Sequence, residues 1–261
     1  MLSIQHHEFF MTRKKNLCRV ITFFALSFWA SSAFGQQNIL VEILSLEPSI
    51  VSVSAENTDI FKPAQRTFKD PKTGKVYVQR AYPAASYNRQ GAGVIIHELG
   101  IIATNAHIVK RADKIGVTFS NDTQVRARLL LLIENIDLAL IQVPLPQSTK
   151  PVNLADSDQV NLGDEIITVG NSPALKQTIS GGKIIGLGLS SKLRDQGQTR
   201  NDLLQTTVNV YGGDSGGPLF DYHGRLIGLM TAAESAADHS SFAIPSNMIK
   251  KYLMEALKNL Q

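Results

Sequence analysis

The stretch Tyr211-Gly212-Gly213-Asp214-Ser215-Gly216-Gly217-Pro218-Leu219 decides how this chain is read, because it sets one serine in a glycine-built turn where little side-chain bulk crowds its hydroxyl. A serine presented in this way can attack a carbonyl. Attack puts negative charge on the carbonyl oxygen, and backbone N–H groups converging on that oxygen stabilise it; losing one such donor costs about 2.7–4 kcal/mol. The amides of Gly213 and Ser215 are the donors this spacing offers, since glycine accepts positive φ and lets another backbone come close. The pattern fits acyl transfer.

A serine hydroxyl is a weak nucleophile until a base takes its proton and a third group orients the base. Both are available upstream. His107 follows the short apolar run Ile101-Ile102-Ala103, which reads as a strand broken by polar Thr104 and Asn105. Asp137 stands at the head of another strand-like run, Leu138-Ala139-Leu140-Ile141-Gln142-Val143. A buried carboxylate there is costly unless hydrogen-bonded. An imidazole N–H is its natural partner, and the acid then fixes the tautomer and stabilises the imidazolium.

The order His, Asp, Ser, with the contexts Thr104-Asn105-Ala106-His107-Ile108-Val109, Asp137-Leu138-Ala139-Leu140-Ile141-Gln142-Val143 and Gly213-Asp214-Ser215-Gly216-Gly217-Pro218-Leu219, resembles the chymotrypsin-fold serine proteases. The bacterial HtrA/Deg branch is the nearer likeness. Gly91-Ala92-Gly93-Val94-Ile95-Ile96, Gly163-Asp164-Glu165-Ile166-Ile167-Thr168-Val169-Gly170-Asn171-Ser172-Pro173 and Ser241-Phe242-Ala243-Ile244-Pro245-Ser246-Asn247-Met248 also agree with it. The resemblance runs from about Ile39 onward. It implies an all-β fold of two six-stranded antiparallel barrels with a C-terminal helix. It also implies a Ser215 nucleophile, a His107 base, an Asp137 orienting acid and a Gly213/Ser215 oxyanion hole. Neither cofactor nor metal is implied.

Gly213-Asp214-Ser215-Gly216-Gly217 also satisfies G-x-S-x-G, the nucleophile elbow of α/β-hydrolases. Its surroundings exclude that reading. An elbow needs a helix directly after the serine and a histidine after the acid. Here Pro218-Leu219-Phe220 passes through the turn-like Asp221-Tyr222-His223-Gly224 into a strand-like run from Arg225 to Met230, and the only downstream histidines are His223 and His239.

Arg13, Lys14, Lys15 and Arg19 precede an apolar stretch from Val20 to Ala30 and then small residues, which reads as a secretion signal over residues 1–35 with cleavage after Ala33 or Gly35. The apolar stretch is far short of the roughly 20 residues that span a bilayer, so no stable membrane insertion is expected. Losing the signal removes four basic side chains and one acid, Glu8, from a formal charge of +4. What remains is nearly neutral, and no nucleic-acid partner follows. The single cysteine, Cys18, lies within the signal. A thiol-free exported chain suits the periplasm or the exterior.

Short apolar runs bounded by turn residues recur at Ile50–Val53, Val94–Ile96, Ile115–Phe119, Val125–Ile133, Leu138–Val143, Glu165–Val169, Lys183–Leu187, Leu203–Val208 and Arg225–Met230, an all-β rhythm. Pro144, Pro146 and Pro151 punctuate a link that divides the chain, giving an N-terminal segment and first barrel over 36–146 and a second barrel and helix over 147–261. From Pro245 the spacing of Met248, Ile249, Tyr252, Leu253, Ala256, Leu257 and Leu260 predicts one amphipathic helix with its methionines and tyrosine toward the core. HtrA relatives often continue into PDZ domains; none is expected within the residues to Gln261.

Phe61 to Arg89 is the least regular region, with Lys62, Arg66, Lys69, Lys72, Lys75, Arg80 and Arg89, and reads as a solvated loop. In the HtrA family a long loop at this place takes part in regulation or assembly, and the segment before the first barrel helps build trimers, so a homotrimer is among the expectations. His97 and His223 read as surface histidines. Asp214 departs from the HtrA pattern, which has asparagine before the serine, and needs a partner of its own. The resemblance places Asn209, Val210, Met230, Thr231 and Ala232 around the pocket for the residue before the cut, with no acid at its base. Unfolded or extended polypeptides, cut after small or medium apolar residues, are the implied substrates. A catalytically silent binding module or chaperone on the same fold is the alternative.

Overall fold

The computed structural model describes residues 42–57, 66–69, 71, 73–79, 87–147, 149–172, 175–192, 199–210, 212–233 and 240–260. The signal read over residues 1–35, with Cys18, lies outside them, as do Lys62, Lys72 and Arg80 of the basic stretch. The chain divides into two units, Met1–Ser45 and Leu46–Gln261. Of the first, residues 42–45 are a single helical turn, and the Ser45 hydroxyl donates to the Glu42 carbonyl at 2.6 Å.

The second unit holds two closed antiparallel barrels. Strands β1 (Ile50–Asn57), β4 (Tyr87–His97), β5 (Ile101–Asn105), β6 (Lys114–Thr118), β7 (Gln124–Ile133) and β8 (Leu138–Gln142) close in the order β1-β4-β5-β8-β7-β6. Between β1 and β4, β2 (Arg66–Lys69) and β3 (Val76–Gln79) form a separate two-stranded sheet. Strands β9 (Glu165–Ser172), β10 (Leu175–Lys192), β11 (Thr199–Thr206), β12 (Pro218–Asp221), β13 (Leu226–Ala233) and β14 (Ser241–Pro245) close the second barrel as β10-β11-β14-β13-β12-β9. A one-turn helix α1 (Ala106–Val109) follows β5, and α2 (Ser246–Lys258) follows β14. This is the expected all-β fold with its C-terminal helix.

Closure leaves each strand with one face inward, and the inward residues are the branched aliphatics of the sequence. Val51, Val53, Ile95, Ile102, Val117, Ala139 and Ile141 form the first core, with Ile108 and Val109 of α1 packed into it. Ile166, Ile184, Leu204, Leu219, Ile227, Met230 and Ala243 form the second. Each fully buried aliphatic contributes about 1.5–3 kcal/mol relative to exposure.

Three elements differ from the sequence expectation. Thr104 and Asn105 do not break β5; both are fully buried and pair with Ala139 and Leu138 of β8. Their polar atoms are satisfied inside, Thr104 Oγ1 on the Ala92 carbonyl at 2.7 Å and Asn105 Nδ2 on the Asp137 carbonyl at 3.1 Å, so polarity does not end the strand. The region read as a loop from Phe61 to Arg89 contains β2, β3 and the start of β4. Within α2, Ile249, Leu253 and Ala256 are buried as expected, but Met254 is 58% exposed because it falls on the opposite face of the helix.

The start of α2 is fixed by side chains reaching back 90 or more residues. Ser246 Oγ donates to the Ala155 carbonyl at 2.7 Å, and Asn247 Nδ2 donates to Asp156 Oδ1 at 2.6 Å. The Asn247 bond, followed by the Asp158 backbone N–H, holds the Asp156 carboxyl below its ordinary value.

The tightest backbone approach outside the site is the turn between β4 and β5. Gly100 has φ +74, and a Cβ there meets the Val143 carbonyl oxygen at 1.8 Å, while the Gly100 carbonyl accepts from Val143 N at 3.0 Å. Gly100→Ala combines left-handed strain with that clash. It is expected to lower stability by at least about 1 kcal/mol, measured as a shift of the urea midpoint at unchanged slope.

Candidate active site

Asp137 is placed by the backbone before its side chain acts. The 3₁₀ turn Glu134–Ile136 ends on Asp137 in the left-handed conformation, φ 59 and ψ 34, which aspartate tolerates better than branched residues. That geometry turns its carbonyl toward β5. The carbonyl accepts from Ala106 N at 2.9 Å and from Asn105 Nδ2 at 3.1 Å, joining Asp137 to the first turn of α1.

Asp137 is 1% exposed, and its carboxylate accepts from His107 and Thr231. Oδ1 accepts from the His107 backbone N–H at 2.8 Å, and Oδ2 lies 2.8 Å from His107 Nδ1. Thr231 Oγ1 of β13 donates to the same Oδ2 at 2.6 Å. An ionised carboxylate only accepts, so Nδ1 presents a proton to Oδ2, and Nε2 is the ring nitrogen left for another partner. The histidine side chain is 30% exposed against 2% for the aspartate, so the free nitrogen belongs to the accessible half of the pair.

Ser215 is built by the turn Asp214-Ser215-Gly216-Gly217. Gly217 N donates to the Asp214 carbonyl at 2.9 Å, and Gly216 has φ +83. Positive φ at the third position marks a type II turn, which places Ser215 at its projecting second position. The turn is fastened to both barrels. Ala92 N of β4 donates to the Ser215 carbonyl at 2.7 Å; Gly216 N donates to the Met230 carbonyl and Met230 N to the Gly217 carbonyl, both at 2.8 Å. A Cβ on Gly216 lies 2.1 Å from the Ala92 carbonyl oxygen, so only glycine fits.

Among the described residues no acceptor meets the N–H of Gly213 or Ser215, and Gly213 has φ +104. Asp214 turns the other way, its Oδ1 2.8 Å from where a Cβ on Gly170 of β9 would stand. The structure thus brings His107, Asp137 and Thr231 into direct contact and fastens the Ser215 turn to β4 and β13 beside them. No hydrogen bond joins His107 to Ser215 among the described residues.

The five pocket candidates separate. Met230 is fully buried in the second core, Val210 packs half-buried against that core, and Asn209 is exposed. Thr231 is buried with its hydroxyl on Asp137. Ala232 pairs with Phe242 of β14. The bonds from Thr231 and Asn105 to Asp137 went unread in the sequence. Thr231 lies 94 residues from its partner, and no local spacing signals the contact.

A family model described as a trypsin-like peptidase domain matches residues 91–229, which include all three members of the His–Asp–Ser set. The chain belongs to the trypsin-like peptidase family. Within it, the relatives are of the HtrA and Deg type. The chain is 31% identical over 87% of its length to a Haemophilus influenzae protein named "Probable periplasmic serine protease do/HhoA-like", covering 52% of that protein. It is 33% identical over 78% of its length to the periplasmic pH-dependent serine endoprotease DegQ of Escherichia coli, covering 44% of it. It thus spans about half the length of these relatives. The solved structure of the HtrA-type protease AlgW with a tripeptide superposes with a TM-score of 0.67 at 22% identity, over 85% of this chain and 64% of that one. That likeness concerns the fold.

Thr231→Val removes the bond to a buried charge while keeping the shape of the side chain. A loss of about 1.5–3 kcal/mol in unfolding free energy is expected, with Thr231→Ser retaining most of it, both read by urea denaturation.

Proposed function

We propose that this chain is a serine endopeptidase, and the observation that carries the reading is the His107–Asp137 pair with the Ser215 turn fastened next to it. In the first half-reaction Nε2 of His107 takes the Ser215 hydroxyl proton as Oγ bonds to the substrate carbonyl carbon. The carbonyl electrons move onto its oxygen, and the amides of Gly213 and Ser215 receive that charge. Collapse of the adduct breaks the C–N bond, the imidazolium gives its proton to the departing amine, and an acyl-enzyme remains. Water then repeats the sequence and releases Ser215. Asp137 holds the imidazole oriented throughout and stabilises its cationic form without taking the proton.

The backbone of β13 near Thr231 and Ala232 is the ledge on which the acyl segment of an extended substrate pairs, with Asn209 and Val210 at the pocket for its last side chain. Such pairing requires an unfolded strand, which favours unfolded or damaged polypeptides as substrates. Export with loss of residues 1–35, a division between 36–146 and 147–261, and action in the cell envelope complete the reading. The relatives named periplasmic support the location, and among the described residues no helix is long and apolar enough to cross a membrane.

A second reading has one observation in its favour. The missing His107–Ser215 bond among the described residues suits a catalytically silent binding module or chaperone on the same fold. Catalytic hydrogen bonds in substrate-free enzymes are often long and tighten only on binding, which keeps the protease reading first.

One experiment separates them. The protein lacking residues 1–35 is incubated with unfolded casein and, separately, with a fluorophosphonate probe, beside Ser215→Ala and His107→Ala. Wild-type cleavage and labelling are expected, with turnover in Ser215→Ala down on the order of a million-fold. Activity that survives in Ser215→Ala refutes the assignment, and an inert wild type establishes the silent module.

A further inference from the structure

Arg89 on β4 donates Nη1–H to the backbone carbonyl of His107 at 2.6 Å. The guanidinium is therefore held against the one-turn helix that carries the imidazole. Its side chain is exposed, and it makes no ion pair with any described residue. One corner of the planar fork is occupied, and among the described residues no other hydrogen bond of Arg89 is made.

Strand β4 passes directly by the nucleophile. Three residues beyond Arg89, Ala92 N donates to the Ser215 carbonyl, and a Cβ on the intervening Gly91 meets that same oxygen at 2.8 Å and the Ile108 side chain at 2.3 Å. On one edge β4 is paired with β1 from Tyr87 to Val94; on the other β5 reaches only Val94 to His97. Among the described residues, no strand covers that second edge from Asn88 to Gly91. An unpaired strand edge beside a nucleophile is where an extended chain can lie.

We infer that Arg89 selects acidic residues on the departing side of the scissile bond, a specificity that rests on the protease reading above. If the acyl segment pairs with β13 in the second barrel, the departing segment runs across the first barrel, over the Asn88–Gly91 edge and under the Arg89 guanidinium. A carboxylate in its first two residues meets the free part of the fork, and guanidinium–carboxylate pairing is directional and charge-assisted. The bond to His107 pre-sets the side chain, so less rotamer freedom is lost when the carboxylate arrives. The selected class is peptides with Asp or Glu at the first or second position after the cut.

The test uses the protein lacking residues 1–35 and paired peptides, identical up to the cleaved bond and carrying Glu or Gln at each of the next two positions. Wild type is expected to favour Glu over Gln in kcat/KM on the order of tenfold, less at high salt. Arg89→Gln keeps a donor for the His107 carbonyl but no charge, and its Glu-to-Gln ratio falls to about one. Arg89→Glu inverts the preference. A loss of folding or of helix position would lower both peptides of a pair together, so the ratio reports charge recognition alone. Equal cleavage of both peptides by wild type, or an unchanged ratio in Arg89→Gln, overturns this inference and leaves the protease reading standing. Cleavage of neither overturns the reading beneath it and this inference with it.

Discussion

The buried carboxylate of Asp137 is the constraint on which the rest of the structure depends. An ion of this size moved out of water costs several kcal/mol even after relaxation, and the charge is tolerable only where donors surround it. Among its donors are the His107 backbone, the His107 ring and the Thr231 hydroxyl. The His107 donors belong to the first barrel and the Thr231 hydroxyl to the second. The charge that orients the imidazole therefore also joins the barrels, and any shift between them withdraws a donor from a buried anion.

A second junction works through the backbone. The Ser215 carbonyl is bonded to Ala92 of the first barrel, and Gly216 and Gly217 are bonded to Met230 of the second. Met230 immediately precedes Thr231, so the strand that supports the acid also supports the serine turn. The two junctions share β13, whose Met230 holds the serine turn and whose Thr231 holds the acid, while Ala92 of β4 holds the Ser215 carbonyl. Glycine at 216 permits the close contact with the Ala92 carbonyl, and glycine at 170 leaves room for the Asp214 carboxylate. A side chain at 216 would meet the Ala92 backbone and push the turn away from β4.

What was legible in the sequence followed from locality. His107, Asp137 and Ser215 each stand in a short motif whose neighbours state the residue's setting, and the aliphatic runs marked ten strands because burial of one face imposes a short period. What was not legible is pairing at a distance. Thr231 was read as a pocket wall, since nothing near it in sequence points 94 residues back to Asp137. Thr104 and Asn105 seemed to end β5 because polar residues usually close a strand; their partners, Ala92 and Asp137, become visible only when the barrel closes. β2 and β3 were read as loop because each is only four residues long in a stretch rich in lysine and arginine.

Asn105 shows how far this packing is determined by the acid. Its Nδ2 holds the Asp137 carbonyl, yet its Oδ1 is buried without a partner among the described residues. A buried acceptor without a hydrogen bond is unfavourable by about 1–3 kcal/mol, so an aliphatic side chain would suit the site better if burial alone decided. The amide earns its place through the donor it offers to Asp137. Two donors on that carbonyl keep the residue in its left-handed conformation, and that conformation aims the carboxylate at His107 and Thr231. Local stability is given up at Asn105 so that the imidazole two residues along the chain, at His107, has its carboxylate partner in position.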